Sequence, residues 1–446
     1  MAGPRTLIAA PSRRRSTPSW KVTIVGIVTL VTGALAACNR SSSSEGVELK
    51  LWALGREGEV VQQLIPEFER RNPGIRVRVQ QVPWSAAHEK LLTGYVGEST
   101  PDVSQMGNTW VPEFAALGAL EPLDPLVTSA RGIDRADFFP GIWATNLVAD
   151  TTYGIPWYVD TRVIFYRTDL LARAGITRPP TSWDEWLTAM RAIKALGGNT
   201  KWAILLPLDE WTQPVVLAQQ LGSPLLADGG RRGAFRQPEF RRAFEFYVSL
   251  YREGLAPTLA NTQVANLYQD FAAGTFAMYI TGPWNLGEFR TRLPANMQDK
   301  WATAPLPGPR GAADGLSFAG GASLVLYRTS KHKAEAWKLI QYLTESEQQV
   351  QFYKLTGDLP ARVSAWRDPV LSEPRAATFN EQLKRVAPLP PVPEIELIVT
   401  RVASAVEAAA RGRATIDAAL EALDQEVDQI LEKRRWMLAR QARVSP

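Results

Sequence analysis

The chain of 446 residues is poor in the side chains that do most enzyme chemistry. It has one cysteine, Cys38, so no intramolecular disulfide can form. It has two histidines, His88 and His332, far apart in sequence. A Cys/His zinc site or a cysteine–histidine nucleophile pair therefore has almost nothing to be built from. Glycine-rich dinucleotide and phosphate loops, Gly-x-Ser-x-Gly and His-Glu-x-x-His are all missing. No cofactor and no metal are expected. A pair of carboxylates, as glycosidases use, stays open. An excess of positive charge is also missing once the first 37 residues are set aside. Those carry Arg5, Arg13, Arg14, Arg15 and Lys21 and no acid, which is the whole net charge of +5. The remaining 45 basic and 45 acidic side chains cancel. A neutral body lacks the electrostatic footprint of a nucleic-acid binder, so no nucleic-acid partner is expected.

Tryptophan is abundant, at 15 residues. An indole offers a flat apolar face with one polar edge. Hydrophobic residues make up 45% and charged residues 21%, an ordinary globular composition, and the length suits two or three domains.

The basic N-terminus runs into an apolar stretch, 22–37, too short for a membrane span of about 20 residues. A charged segment, an apolar segment and small residues before a cut form an export signal. The cut falls in Leu35-Ala36-Ala37-Cys38, which resembles a lipoprotein signal whose cysteine is acylated and becomes the new N-terminus. Residues 1–37 are thus expected to be a lipoprotein signal peptide, and Cys38 the lipid anchor to the cell membrane. An ordinary signal anchor and a twin-arginine signal are the alternatives. The polar, serine-rich segment 38–46 reads as a flexible tether.

From residue 47 the pattern alternates between strands and helices. Segments 47–52 and 75–82 alternate apolar and polar, and apolar positions 60, 61, 64, 65 and 68 between them make a helical face. A loop is expected over 55–59. This β-α-β unit implies a parallel strand pair. A third strand is expected at 102–106 and further strands at 202–206, 275–280 and 322–326. Helices are expected at 88–96, 182–196, 238–253, 333–344, 345–355 and, as one long element, 401–435. The fold class is α/β. Proline-rich runs 305–309 and 388–393 are candidate crossings between lobes.

Several aromatic-polar clusters fall at strand ends, where open α/β sheets bind ligands. Asn108 and Trp110 follow the third strand. Trp157, Tyr158 and Asp160 lie within four residues, with Tyr158 and Asp160 on one side of an extended segment and Trp157 on the other. Trp284 follows Thr281-Gly282-Pro283, and Gly320-Gly321 lets bare backbone approach a ligand. Arg362 ends a loop; Glu57 and Trp211 are further candidates. Rings, carboxylates and a guanidinium together fit a neutral polyhydroxylated ligand: sugar C–H faces pack on the rings, and hydroxyls pair with the charged groups. Trp183, Trp186, Trp337 and Trp436, on helical segments, read as packing residues. The histidines and the basic end of the chain (Lys433, Arg434, Arg435, Arg440, Arg443) read as solvated surface.

Stretches such as Leu49-Lys50-Leu51-Trp52, Pro101-Asp102-Val103, Tyr153-Gly154-Ile155-Pro156, Pro180-Thr181-Ser182-Trp183, Gly282-Pro283-Trp284 and Gly412-Arg413-Ala414-Thr415-Ile416-Asp417 occur in order. In these the chain resembles the extracellular solute-binding proteins of family 1, the sugar-binding lipoproteins of ABC importers, in a trehalose/maltose-like branch. The resemblance implies a two-lobed type II periplasmic-binding-protein fold with hinge crossovers. The first lobe would be 47–159 plus 318–385, and the second 160–317 plus 386–446. It implies cleft residues Glu57, Asn108, Trp110, Tyr158, Asp160, Trp284, Gly320, Gly321 and Arg362. It implies a monomer that closes on a neutral di- or oligosaccharide and delivers it to ABC permease subunits, without catalysis. Two departures stand out: an acid is common where Gly107-Asn108 stands, and the basic extension after Glu432 is long. A secreted glycoside hydrolase or lyase is the rival reading. The same fold binding a polyamine or glycerol phosphate is a third.

Overall fold

The computed structural model describes residues 46–129 and 133–444. The expected signal peptide, Cys38 and nearly all of the tether lie outside the described residues. From residue 46 on, the described chain forms one compact unit. Among the described residues no helix is long and apolar enough to cross a membrane.

Two sheets organise the unit, in the two-lobed type II binding-protein arrangement. The first has six strands in the order Leu359–Pro360, Ile155–Asp160, Gly320–Leu326, Val103–Gly107, Val47–Leu54, Ile75–Val82. The expected β-α-β unit is its edge: Val47–Leu54 pairs in parallel with Ile75–Val82. The second has four strands in the order Trp301–Ala304, Val163–Arg167, Phe276–Thr281, Trp202–Leu205. The chain leaves the first sheet at Asp160 and enters the second at Val163, with only two residues between. It returns between Ala304 and Gly320, and on the way Ser317–Phe318 pairs in parallel with Val386–Ala387.

Helix periodicity explains how the sheets are covered. In Trp183–Lys194, Trp183, Trp186, Met190 and Ile193 are buried at helical spacing, and the Ser182 hydroxyl accepts from Glu185 N–H at the cap. Burying each such side chain contributes about 1.5–3 kcal/mol. Trp337 is likewise buried on its helix Lys333–Leu343. Trp436, expected to pack, is 61% exposed; its helix projects too few apolar neighbours to cover it.

Three sequence expectations need correction. The segment 55–59 is not a loop: a helix runs Gly55–Val60, because Gly55 at φ +51° turns the chain straight out of the strand. The single long helix over 401–435 is three helices, Ile395–Ala410, Ile416–Ile430 and Glu432–Val444. Gly412 at φ +70° ends the first, and the Thr415 hydroxyl caps the second by accepting from Ala418 N–H. Finally, the helix Pro374–Leu383, expected with the first lobe, packs on the four-stranded sheet: the Arg375 guanidinium lies 3.8 Å from the Trp301 ring, and Phe379 meets Phe165.

Candidate functional site

A cavity of about 730 Å³ is lined by residues from both sheets and their flanking helices. It lies at the ends of Val103–Gly107, Ile155–Asp160 and Phe276–Thr281, where three strands stop and polar side chains follow.

Nine of the eleven residues singled out from sequence reach it: Glu57, Asn108, Trp110, Tyr158, Asp160, Trp211, Trp284, Gly320 and Gly321. Two do not. Trp157 is fully buried and stacks on Phe352 at 4.3 Å. Strand alternation puts it on the face opposite Tyr158 and Asp160, toward the core. Arg362 is buried as well; its guanidinium donates to Asp137 at 3.0 Å and to the Thr344 carbonyl, and lies over Phe138. It braces the fold and is sealed from the cavity.

The first wall centres on Glu57, in the first turn of its helix. The Gln105 side chain is fixed by Leu54 N–H, which donates to it at 2.7 Å. Gln105 donates to the Tyr158 oxygen at 3.0 Å, and Tyr158 donates to Glu57 at 3.0 Å. The Trp84 indole donates to the other Glu57 oxygen at 3.3 Å. Burial pushes the Glu57 carboxyl up, against the pull of these donors and of Arg56. Asp358 faces it: burial and the nearby Glu57 charge hold the Asp358 carboxyl well above its ordinary value. Burial and the same acids raise the Tyr158 phenol.

The second wall is made of ion pairs and rings. Arg162 donates to Asp160 at 2.6 Å and lies 4.7 Å over the Trp284 ring. Burial pushes Asp160 up to about 6 although Arg162 pulls it down. Arg292 pairs with Glu288 and lies 5.0 Å from the Tyr268 ring. Between the walls, the Thr109 hydroxyl donates to Glu396, in the first turn of the helix Ile395–Ala410. Asn108 accepts from Ser323 at 2.9 Å, and its buried amide nitrogen has no partner among the described residues.

The aromatic plates share a support. A Cβ on Gly282 would sit 2.0 Å from the Trp284 ring, one on Gly320 2.2 Å from Phe318, one on Gly55 2.4 Å from Trp84, and one on Gly107 3.3 Å from Trp110. Each ring rests on backbone that only glycine leaves bare. Gly321 at φ +132° serves a different end, passing against the Tyr158 carbonyl where any side chain would collide.

Sequence reasoning missed Trp84, Arg162, Asp358, Glu396 and the Tyr268–Arg292 pair, all in the lining. One was within reach: Arg162 is two residues beyond Asp160, the strand spacing for a shared face. Asp358 is four residues from the wrongly chosen Arg362, and nothing in the local pattern distinguishes them. His88, expected at the surface, is half-buried against Trp110 and shares a 2.6 Å hydrogen bond with Glu113, which raises its proton affinity.

Two lobes with a polar, ring-walled cavity between their sheets define a solute-binding protein. A model of the bacterial extracellular solute-binding proteins matches residues 52–350, and the chain belongs to that family. It is similar to the structure of the sugar-binding protein MalE from Xanthomonas citri, at 47% identity and a TM-score of 0.85 over 88% of this chain and 99% of that one. A Thermotoga lettingae ABC transporter solute-binding protein bound with α-D-tagatose is 26% identical, with a TM-score of 0.74 over 86% of this chain and 100% of that one. The galactooligosaccharide-binding protein of Bacillus subtilis is 24% identical over 90% of this chain and 95% of its own. These relatives are binding proteins and not enzymes, and the chain is an ABC-type solute-binding protein of the sugar class.

Proposed function

We propose that the protein is a lipid-anchored, extracytoplasmic receptor that captures a neutral di- or oligosaccharide by lobe closure and delivers it unaltered to ABC permease subunits, acting as a monomer. The observation that carries this reading is the cavity itself: exposed indole faces of Trp84 and Trp284 beside carboxyl and guanidinium groups, contributed by both sheets. Rings take the apolar faces of a sugar while the charged groups pair with its hydroxyls. A ligand touching both walls favours the closed form, because only there are both sets of bonds made. The wall charges support a neutral ligand. Asp160 is paired with Arg162 and Glu288 with Arg292, and Glu57 and Asp358 hold protons more tightly than ordinary carboxyls. The lobe division proposed is 47–159 with 318–373, and 160–317 with the remainder.

A thermal-shift screen of mono-, di- and oligosaccharides tests the reading, since a ligand that binds only the folded state raises its melting point. A shift with spermidine and with no sugar would overturn it in favour of a polyamine, for which the acids among the rings speak. The acid excess of the lining, five carboxyls to three guanidiniums, speaks against glycerol phosphate. Hydrolysis has one feature in its favour, the adjacent Glu57 and Asp358 carboxyls. Sustained release of reducing ends from a bound oligosaccharide would establish it.

A further inference from the structure

The helix Glu432–Val444 lines no part of the cavity. Its root is pinned to the body: Arg434 donates to the Gly230 carbonyl at 3.1 Å and Arg435 to the Arg231 carbonyl at 2.9 Å. The pinning decides which face looks outward. Lys433, Trp436, Met437 and Arg440 are exposed, and spacings of three, four and seven place them on one face. Trp436 is the most exposed tryptophan among the described residues, and the Arg440 guanidinium lies 5.4 Å from its ring. Of the nearby acids, Glu432 is exposed one turn before Trp436, at the edge of this face, and Asp428 faces Arg435 and Arg232.

Charge is gathered at this end. Residues 432–446 hold Lys433, Arg434, Arg435, Arg440 and Arg443 against Glu432, a net of +4. Residues 38–446 sum to zero, so residues 38–431 carry −4. At 100° per residue Lys433 and Arg440 lie between Trp436 and Met437; an indole, a thioether and long basic stems on one face suit a bilayer interface, where the ring and thioether enter the headgroup layer while the cations reach phosphates. The net charge of +4 at this end, against the one acid Glu432 at the edge of the face, favours an anionic lipid surface over a protein partner.

We propose that the Lys433–Trp436–Met437–Arg440 face is a docking surface for an anionic lipid bilayer, holding the body against the membrane. The proposal is independent of what the cavity binds. The test uses the chain without its first 45 residues, so that no acyl anchor contributes, and vesicles of phosphatidylcholine with or without phosphatidylglycerol. Co-sedimentation is expected to be at least about tenfold stronger with the anionic vesicles, to fall at about 0.5 M salt, and to shift tryptophan emission to the blue. Both Trp436→Ser/Met437→Ser and Lys433→Glu/Arg440→Glu are expected to bring binding down to the phosphatidylcholine level, with the melting point unchanged as evidence of folding. Equal binding to both vesicles, full binding by either double variant, or binding only when a membrane protein is present in the vesicle would overturn the proposal, the last assigning the face to a protein partner.

Discussion

The two walls of the cavity hold their charges differently. Glu57 and Asp358, on the six-stranded side, have no ion-pair partner within salt-bridge distance among the described residues, and burial raises both carboxyls above their ordinary values. Across the cavity the charges are already paired, Asp160 at the end of its strand with Arg162 and Glu288 with Arg292, with Trp284 and Tyr268 stacked against the guanidiniums. The first wall therefore offers carboxyls not committed to an ion pair before a ligand arrives. The second offers charges whose direction is fixed before any ligand arrives. A ligand with a row of hydroxyls satisfies both, which a purely cationic or anionic one does not.

The largest expected effect separates the walls from the frame behind them. Arg362→Ala removes the charged partner of the Asp137 carboxylate, leaving it only its Ser364 donors, and the side-chain donor of the Thr344 carbonyl, and should cost about 3–5 kcal/mol in denaturant unfolding. Sugar affinity of the folded fraction should be unchanged; a parallel loss of affinity would return Arg362 to the cavity. Trp284→Ala should do the reverse, weakening sugar binding at least tenfold, about 1.4 kcal/mol, with little change in stability, as titration calorimetry would show. An unchanged isotherm would remove the second wall from the site.

Gly282→Ala sharpens the point. The added methyl would meet the Trp284 ring at 2.0 Å, so the plate must turn, and affinity should fall severalfold. In a double-mutant cycle the loss should vanish once Trp284 is already alanine; additive losses would show that the glycine acts on something else.

The smallest expected effect is a pH dependence at the meeting of the walls. Asp160 is held at about 6, above its unfolded value, so the folded state binds its proton more tightly. Its contribution to stability is full below about pH 4 and is lost as the pH rises through 6. A sugar hydroxyl donating to Asp160 favours the ionised form, so affinity should rise over the same window in which the free protein's melting point falls. Asp160→Asn should flatten both trends; an affinity that stays level from pH 5 to 7 in the parent protein would take Asp160 out of the contact.

Much of this was legible in the residues. The alternation at 47–54 and 75–82 and the stripe at 183–193 are period signals that survive tertiary context, because each buries one face. Strand-end rings such as Trp284 were legible because few other roles place an indole after a Gly-Pro turn. Trp157 and Arg362 were misplaced because a ring or a cation reads the same in sequence whether it faces a core or a cavity. Asp358 and Glu396 were missed because their partners lie about 300 residues away.

The sequence by itself determined the element types, the parallel entry unit, the α/β class and most of the ring positions, since all of these follow from local periodicity and side-chain chemistry. Which carboxyls stand outside ion pairs, which glycines carry the plates, against which sheet the helix Pro374–Leu383 packs and which face of the terminal helix looks outward were decided only by the tertiary structure. Those are properties of distance and burial between segments far apart along the chain, and no local pattern encodes them.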